Sequence, residues 1–394
     1  SRYYEKFCKA SEDLNQALQS KGAKLLIPYQ KSDKASEDQG ESVIRQFVSN
    51  VISAVGSTPN DSFNEPIVEL KEIDETANGF LIHPGFTLST IKQKTLMSAP
   101  DYEPQFWHYV IDSPGLKYNC GDYCLIMPQN DPEIVSSVIS KLNLNPNTVF
   151  EIKSSQSLML PSKASILQLF TQIIDLNAKP KSELYTLFGS SIQKPEITVA
   201  DLILRSEITQ IPNLSNILLY TTQIEPRTYS IASERENELD LIVKNHTFQE
   251  NYHGLCTHYL HLASTESIQI QHSMGAFHYP TDNQTPIILI GLGSGIAPFF
   301  SILEHRRRLI DQNPDMKIGD CIFFVGLRYH RSAHAIIQWL KEIEQNVKVL
   351  TKLYIAISRE DKHQHVQDIM KDEAQDDLWS IWENEKAELF FCGP

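Results

Sequence analysis

A glycine-rich turn is the first part of the sequence whose residue types could do chemistry. Gly293, Ser294 and Gly295 stand between an apolar run that reads as a buried strand and the start of a predicted helix. The backbone N–H groups of such a turn, together with the helix N-terminus, can hold a diphosphate. A strand-to-helix turn that needs glycine only for its shape has the same composition. This segment by itself is therefore compatible with two interpretations, a nucleotide-binding site and a tight turn without a ligand.

A serine and two arginines follow the next two predicted strands. Ser358 and Arg359 come directly after the apolar segment 350–357, and Arg328 comes after the segment 321–325. A hydroxyl and a guanidinium at the carboxyl edge of a parallel sheet suit a phosphate dianion. The pair therefore favours the 2′-phosphate of NADP over the ribose diol of NAD, with Arg328 as a second contact on the adenine side. A capping serine beside a solvated arginine is the alternative interpretation.

A third group combines an arginine, an aromatic ring and a hydroxyl. Arg227, Tyr229 and Ser230 lie along one predicted strand, and the glycine-opened segment 254–257 follows about two dozen residues later. The arginine and the helix start can share one pyrophosphate, because helix N-termini bind anions. The tyrosine offers a face for an isoalloxazine ring, and the serine offers a hydroxyl near its N5 atom. Aromatic residues that alternate in a strand also build ordinary barrel cores, so both interpretations stay open.

The elements that must position these residues change along the chain. Short turn-bounded strands follow residue 65, interrupted by a largely helical block at about 132–206, which predicts an antiparallel barrel with a helical insertion. From residue 285 strands alternate with helices, which predicts a parallel nucleotide-binding sheet. The start of the chain reads as helix, short strand at 24–28 and helix, an end-piece of a doubly wound sheet. Residues 57–65 then have the composition of a linker.

The composition excludes several classes of protein. With 35 Lys and Arg against 49 Asp and Glu, the chain has a net charge of −14, which argues against a nucleic-acid binder and suits a partner with a basic docking face. No apolar stretch reaches the roughly 18 residues of a membrane span, and the opening residues lack the apolar core of a signal peptide. The 6 cysteines form neither a disulfide framework nor a zinc-ligand pattern, so we expect no metal and reduced thiols in the cytoplasm.

The ordered motifs of the chain resemble those of the ferredoxin–NADP reductase superfamily. They are RTYSIAS at 227–233, GLCTHYL at 254–260, GLGSGIAPF at 291–299, FFVGLR at 323–328, SRED…VQ at 358–367 and FFCG at 390–393. YNCGDYCLIMPQN at 118–130 resembles the corresponding segment of the NADPH-dependent diflavin oxidoreductases, and residues 1–26 resemble the end of their flavodoxin domain. Within that family the motif sequences are most similar to those of the cytosolic diflavin reductases of iron–sulfur assembly. The cytochrome P450 reductase and sulfite reductase types are the alternatives.

The resemblance implies a multidomain chain. Residues 1–56 would be the C-terminal part of an α/β flavodoxin-like FMN domain, followed by a linker at 57–65. Residues 66–283 would form an antiparallel β-barrel FAD domain with the helical connecting insertion at about 132–206. Residues 284–394 would form an α/β parallel-sheet NADPH-binding domain, cut before its end, so that the chain would be part of a longer polypeptide.

The resemblance also implies roles for individual residues. The FAD-binding residues would be Arg227, Thr228, Tyr229, Ser230, Leu241, Ile242, Gly254, Leu255, Cys256 and Thr257. The NADP-binding residues would be Gly293, Ser294, Gly295, Arg328, Ser358, Arg359, His363, His365 and Gln367. Ser230 at the flavin N5 and Cys392 near the nicotinamide C4 would serve catalysis, and Tyr4 would pack against FMN.

Departures from the family pattern bear on these expectations. His363 and His365 stand where the family has a lysine and a tyrosine, so we expect a 2′-phosphate contact that is weaker or depends on pH, because histidine titrates near neutrality. His246 stands where many members place a tyrosine against FAD, and Phe300 replaces a common arginine. The arginines at 306–308 are expected to form a solvated helix end that complements the helix dipole.

The activity that the resemblance implies is electron transfer. A hydride would pass from NADPH to FAD, and single electrons would pass through FMN to a protein acceptor, an iron–sulfur or haem protein. The cofactors would therefore be NADPH, FAD and FMN. A single-flavin NADPH reductase is a second hypothesis. A non-catalytic scaffold that keeps the reductase fold is a third, supported only by the histidine and Phe300 departures.

Overall fold

The computed structural model describes most of the chain. The described residues are 9–25, 27–31, 41–54, 67–77, 79–155, 158–189, 197–208, 210–245, 247–249, 252–263, 267–360 and 363–393. Tyr4, His246 and the predicted linker at 57–65 lie outside these residues.

Helices occur along the whole described chain. In chain order they are α1 (Lys9–Ser20), α2 (Glu41–Ala54), α3 (Pro132–Lys141), α4 (Ile166–Gln168), α5 (Ser182–Leu187), α6 (Val199–Arg205), α7 (Leu214–Tyr220), α8 (Leu255–Leu262), α9 (Ala297–Gln312), α10 (His334–Glu344), α11 (Val366–Asp372) and α12 (Gln375–Glu385). A π-helical turn at Leu169–Ile173 continues α4, and 3₁₀ turns cover Gly293–Ile296 and His330–Ser332.

Strands lie between these helices. In chain order they are β1 (Val68–Ile73), β2 (Thr87–Leu96), β3 (Phe106–Asp112), β4 (Tyr123–Met127), β5 (Val149–Ser154), β6 (Lys163–Ser165), β7 (Arg227–Ser230), β8 (Glu238–Lys244), β9 (Thr247–Gln249), β10 (Tyr252–His253), β11 (Ser267–Ser273), β12 (Ile287–Leu292), β13 (Cys321–Leu327), β14 (Lys352–Ile357) and β15 (Glu388–Cys392).

The predicted antiparallel sheet is present and is built from six strands in the order β7-β4-β11-β2-β3-β8. A bridge between Ile231, just after β7, and Leu241 in β8 joins the two outer strands, so the sheet closes on itself. Alternate residues of β8, such as Leu239, Leu241 and Val243, pack in the interior with Tyr109 of β3. The interior of this closed sheet is therefore a packed core.

The predicted parallel sheet is also present, with four strands in the order β14-β13-β12-β15. Ile287 and Leu289 of β12 pack with residues of α9 and α10, whereas Ile288 and Ile290 pack with residues of α11 and α12. This burial on both faces explains the continuous apolar run of β12. The carboxyl ends of the strands lie at one edge, where the Gly293–Ile296 turn begins.

The described residues divide into two compact units. Those up to Gly79, together with Asn130–Gln223, form one unit, which contains the small antiparallel sheet β1-β5-β6 and the helices α3 to α7. Phe80–Gln129 and the residues from Ile224 onward form the other, which contains the closed sheet and the parallel sheet. The helical segment therefore extends beyond residue 206, through α7.

The two helices predicted at the start of the chain are present as α1 and α2, but the strand predicted between them is not. Lys24, Leu25 and Ile27 are irregular. A strand is stable only where a neighbouring strand pairs with its backbone, and no described residue does so here.

The arginine run at 306–308 does not end a helix, because α9 continues to Gln312. Arg306 is fully buried, and Arg308 pairs with Glu234 at 2.7 Å. The expectation of a solvated helix end is wrong for Arg306. It lies seven residues after the buried Phe299, on the face of α9 that packs on the sheet.

Membrane spans and clusters of metal ligands are both missing from the described part of the chain. None of its helices combines the length and apolar character needed to cross a membrane. Its His, Cys, Asp and Glu side chains form no group of three or more that could hold a metal ion.

Candidate functional site

A cavity of about 430 Å³ opens at the carboxyl edge of the parallel sheet. Six residues predicted to bind NADP belong to its wall, namely Gly293, Ser294, Arg328, Ser358, His365 and Gln367. Two cationic side chains, Lys244 and Arg328, line it, and none of its described wall residues is acidic. In a chain with 49 acidic residues, such a wall indicates an anionic ligand.

Hydrogen bonds between neighbouring strand ends bring the phosphate candidates together. The N–H of Ser358 donates to the carbonyl of Leu327 at 2.9 Å, and the N–H of Arg359 donates to the carbonyl of Arg328 at 3.0 Å. The segment after β14 is thereby attached to the end of β13. Arg328 and Arg359 are exposed, and no carboxylate of the described residues lies within ion-pair distance of either guanidinium. Both charges are therefore available to a phosphate.

Three predicted NADP residues lie outside the cavity wall. Gly295 faces the end of β15, since a Cβ built on it would lie 2.2 Å from the carbonyl oxygen of Cys392. His363 is exposed, and its backbone N–H donates to the carbonyl of Glu360 at 3.0 Å. Arg359 is exposed just beyond the wall residue Ser358. Of the two histidines that depart from the family pattern, only His365 lines the cavity.

Ten residues of the wall were not predicted to bind the nucleotide, and five of these ten have polar or aromatic side chains. They are Tyr102, Phe106, Lys244, Ser332 and Gln364. Phe106 begins β3 and Lys244 ends β8, so the closed sheet contributes one side of the cavity. Lys244 offered one signal, a single cation at the end of an apolar strand, and Gln364 lies within the SRED…VQ segment, whereas Tyr102, Phe106 and Ser332 belong to no recognisable motif.

The predicted flavin residues Arg227–Ser230 form strand β7, which pairs with β4. Successive side chains of a strand point to opposite faces, so Arg227 and Tyr229 share one face and Thr228 and Ser230 share the other. Tyr229 packs against the interior of the closed sheet. The four side chains therefore cannot all approach one ligand from the same face.

The start of α8 turns its side chains inward. Leu255, Cys256 and Thr257 are buried. The Thr257 hydroxyl donates to the carbonyl of Gly254 at 3.0 Å. Cys256 belongs to the core cluster against which Tyr229 packs, and burial raises the pKa of the Cys256 thiol to about 12. The backbone N–H groups of this first turn are left for an anion, as at other helix N-termini.

The side chains of Leu241 and Ile242 are not accessible to a ligand. Leu241 is buried in the interior of the closed sheet, and Ile242 is buried against the Gly293–Ile296 turn. Their backbones pair with Tyr109 and His108 of β3. A contact from either residue to a cofactor would have to come from the backbone.

Cys392 ends β15 at the same edge of the parallel sheet. Its register partner in β12 is Gly291, and its carbonyl lies against Gly295. The thiol is half-buried, and burial raises its pKa, so the neutral thiol is favoured. The two side chains predicted to serve catalysis thus come from different sheets, Cys392 from the parallel sheet and Ser230 from the closed sheet.

A buried carboxylate supports the start of β4, next to the predicted flavin strand. Asp122 is 2% exposed and accepts hydrogen bonds from the N–H groups of Asn119 at 2.9 Å and Gly275 at 2.8 Å. Its Oδ2 also lies 2.8 Å from Nε2 of His272. Burial opposes ionisation of Asp122, but these hydrogen bonds outweigh burial and hold its pKa below the ordinary value.

We expect Asp122→Asn to flatten the acid dependence of stability. Because the folded-state pKa lies below the unfolded value of about 4, ionised Asp122 stabilises the fold above that pH, and this contribution is lost as the pH falls below it. Urea midpoints measured by tryptophan fluorescence from neutral pH downward should fall less steeply in the variant. The exposed Asp315→Asn serves as control, and an unchanged slope in Asp122→Asn would contradict the expectation.

Comparison with known proteins gives two domain matches. Residues 80–198 match the family described as FAD binding domain. Residues 289–394 match the family described as oxidoreductase NAD-binding domain. The first match contains β2, β3 and β4 and ends before β7, and the second contains the Gly293–Ile296 turn and Cys392.

Three known proteins are similar to most or all of the chain. It is 25% identical to the mitochondrial pyruvate dehydrogenase (NADP+) of Euglena gracilis, over 100% of the chain and 23% of that protein. It is 25% identical to the sulfite reductase (NADPH) flavoprotein alpha-component of Shewanella sp. strain MR-4, over 99% of the chain and 66% of that protein. It is 27% identical to the nitric oxide synthase of Drosophila melanogaster, over 72% of the chain and 24% of that protein.

The chain belongs to the NADPH-dependent diflavin oxidoreductase family. Two domain types in one chain and relatives of this kind confirm the resemblance drawn from the motifs. The chain spans less than two thirds of the length of these relatives. As a diflavin oxidoreductase family member it combines an FAD-binding domain with antiparallel strands and an NAD-binding domain with a parallel sheet.

Proposed function

We propose that this chain is the reductase portion of an NADPH-dependent flavoprotein that passes electrons through FAD and FMN to a protein acceptor. The observation that carries the proposal is the cavity at the carboxyl edge of the parallel sheet, whose wall holds Arg328 and Ser358 and no described acidic residue. Hydroxyl and guanidinium groups in this place suit a nucleotide phosphate. When bound, NADPH supplies a hydride and the flavins allow its electrons to leave singly.

The chain's own residues would bind and orient the nucleotide. Ser358, Arg359 and Arg328 would hold the 2′-phosphate, with His365 and Gln367 in the same wall. The turn that starts at Gly293 would offer its backbone N–H groups to the diphosphate. Gly295 would act indirectly, by letting this turn lie against the backbone of Cys392.

The residues present also fit FAD. The first turn of α8 and the guanidinium of Arg227 would share the FAD diphosphate. That guanidinium donates to the carbonyl of Glu225 at 2.6 Å, which limits its freedom. The packing of Tyr229 against the core cluster that contains Cys256 would fix the tyrosine ring for stacking on the flavin, and Ser230 would offer its hydroxyl.

The remaining organisation is part of the same proposal. Residues 1–56 would be the end of a flavodoxin-like FMN domain, joined by 57–65 to an FAD domain at 66–283 with its insertion at about 132–206, and residues 284–394 would bind NADPH. Helices α1 and α2 are compatible with such an end-piece. The cysteines of the described residues are free thiols, which suits the reducing conditions of the cytoplasm.

The acceptor would be an iron–sulfur or haem protein with a basic docking face, since the chain has a net charge of −14. The sequences of the motifs favour a role in cytosolic iron–sulfur assembly. A sulfite-reductase type of electron donor is the second candidate, because the Shewanella flavoprotein matches 99% of the chain. Reduction of a purified iron–sulfur acceptor, compared with reduction of a sulfite reductase haemoprotein, would separate the two.

Arg359→Ala is expected to weaken NADPH binding about 10- to 100-fold and to leave NADH binding unchanged, because only NADPH carries the 2′-phosphate. The rate of flavin reduction at a series of NADPH and NADH concentrations measures both affinities. Arg331→Ala is the matched control, since Arg331 is an exposed arginine outside the cavity wall that pairs with Asp101. Equal losses with the two nucleotides would exclude a 2′-phosphate role for Arg359.

Flavin content decides between the reductase and the scaffold hypothesis. Phe300, one of the departures that supported a scaffold, is fully buried and stacks on Trp339 at 4.5 Å, so it is explained by packing. We expect the purified protein to bind FAD and to lose its flavin absorbance when NADPH is added without oxygen. A protein without flavin, or with flavin that NADPH cannot reduce, would support the scaffold instead.

A further inference from the structure

Lys244, which the motifs did not single out, is the only described cation that the closed sheet contributes to the nucleotide cavity. It is the last residue of β8 and is half-buried. Its Nζ lies 5.8 Å from the centre of the Phe106 ring, and both side chains line the cavity. The position of this lysine therefore depends on the closed sheet, whereas Arg328 and Ser358 depend on the parallel sheet.

The face of β8 on which Lys244 lies is turned toward the glycine-rich turn. Residues two apart in a strand share a face, so Lys244 is on the same face as Ile242. Ile242 packs in one cluster with Ile296, the last residue of the glycine-rich turn. Lys244 therefore continues along the face that β8 presents to this turn, whose residues Gly293 and Ser294 line the same cavity.

Among the described residues, Lys244 has no anionic partner. No carboxylate of the described residues lies within ion-pair distance of its ammonium group. Burial lowers the pKa of Lys244, and the positive charge of Arg328 lowers it further. A half-buried lysine beside an arginine is unfavourable unless an anion neutralises the pair.

We propose that Lys244 binds the diphosphate of the nicotinamide nucleotide opposite the Gly293–Ile296 turn. This inference rests on the proposed function, because it names a further binding residue of the same cavity. An anion held in this way contacts the closed sheet through the lysine and the parallel sheet through the turn. The diphosphate is common to NADPH and NADH, so Lys244 would contribute to affinity for both nucleotides, unlike Arg359.

The test compares Lys244→Met with Lys244→Arg and with a matched control, Lys94→Met. Lys94 is also a partly buried lysine of the closed sheet whose pKa burial lowers, and its Nζ lies 5.5 Å from the centre of the Trp107 ring, but it is not in the cavity wall. Calorimetric titration of the full chain with NADP+ and with NAD+ measures binding without electron transfer. Lys244→Met is expected to weaken both about tenfold, Lys244→Arg to retain most of the affinity, and Lys94→Met to change neither.

Two results would overturn the role of Lys244 alone. One is wild-type affinity of Lys244→Met for both nucleotides, and the other is a loss restricted to NADP+, which would move the lysine to the 2′-phosphate. In both cases binding by the wild type and the selective loss in Arg359→Ala would leave the proposed function intact. Binding of neither nucleotide by the wild type would overturn the proposed function together with the inference. A thermal midpoint equal to that of Lys94→Met excludes misfolding as the cause of a loss.

Discussion

Arg306→Leu is expected to lower the free energy of unfolding of the unit that contains both large sheets by about 3 kcal/mol or more. The Arg306 guanidinium is fully buried. It donates from Nε to the carbonyl of Val349 at 2.7 Å and from one terminal nitrogen to the carbonyls of Gly319 at 2.6 Å and Lys348 at 2.9 Å. Leucine would remove the donors of all three carbonyls, of which the Val349 carbonyl accepts in a buried hydrogen bond and the other two in part-buried ones. A buried acceptor left without a donor costs about 1–3 kcal/mol, and the two part-buried acceptors add to that cost.

Tryptophan fluorescence measures this effect selectively. All 4 tryptophans, Trp107, Trp339, Trp379 and Trp382, lie in the unit formed by Phe80–Gln129 and the residues from Ile224 onward. Their urea transition therefore reports that unit, although the whole chain need not unfold in one step. The midpoint should fall strongly in Arg306→Leu and less in Arg306→Lys, which keeps the charge but has fewer donors in a fixed plane.

The neighbouring arginine supplies the control. Arg307 is on the same helix, its side chain is 58% exposed, and its ion pair with Glu304 is 3.7 Å long. Arg307→Leu changes the sequence in the same way but leaves no buried acceptor, so its midpoint should stay close to that of the wild type. Equal midpoints for Arg306→Leu and Arg307→Leu would show that the buried hydrogen bonds of Arg306 contribute little.

This arginine also shows what sequence reasoning can and cannot reach. The helical period places residue 306 on the apolar stripe of α9 with Phe299, Ile302 and Leu303, so its burial was predictable. Its partners were not, because the accepting carbonyls belong to residues 319, 348 and 349, in two separate loops. A run of three arginines in the sequence does not indicate that one of them is hydrogen-bonded to both of those loops.

The wall of the nucleotide cavity also contains residues that the sequence pattern predicts and residues that it does not. The glycine turn, Arg328 and Ser358 follow three strands of one parallel sheet, so their common location followed from the strand pattern alone. Lys244 ends a strand of the closed sheet, and Tyr102 lies in the loop between two of its strands, β2 and β3. Only the packing of that sheet on the glycine turn brings these two residues into the cavity wall. No spacing rule connects residues that meet across two sheets.

Motifs also predicted positions better than orientations. Residues 255–257 belong to a motif that implies FAD binding, yet their side chains are buried, and the N-cap residue Gly254 has no side chain to cap the backbone N–H groups of the helix start. The motif therefore encodes the packing that presents the N–H groups rather than the ligand contacts themselves. The contact of Tyr229 with the core cluster that contains Cys256 is part of that packing.

Gly295→Ala is expected to have the second large effect, on stability and on nucleotide binding together. A Cβ on Gly295 would lie 2.2 Å from the carbonyl oxygen and 2.6 Å from the carbonyl carbon of Cys392, and 3.0 Å from the nitrogen of Gly393. These are backbone atoms of a paired strand end, so they cannot move aside as a side chain can. The turn and β15 would have to separate, at a cost of about 3 kcal/mol or more.

Gly293→Ala separates this steric effect from a conformational one. Gly293 has a φ of 60°, which a side chain disfavours, but a Cβ built on it would meet no atom within 4 Å. It should therefore cost only about 1 kcal/mol. We expect Gly295→Ala to lower the urea midpoint much more than Gly293→Ala and to weaken binding of both NADP+ and NAD+ at least tenfold, because the turn that offers its N–H groups is displaced. If Gly295→Ala bound both nucleotides like the wild type, close contact between the turn and Cys392 would not be needed to form the site, and the turn could be placed by β12 and α9 alone.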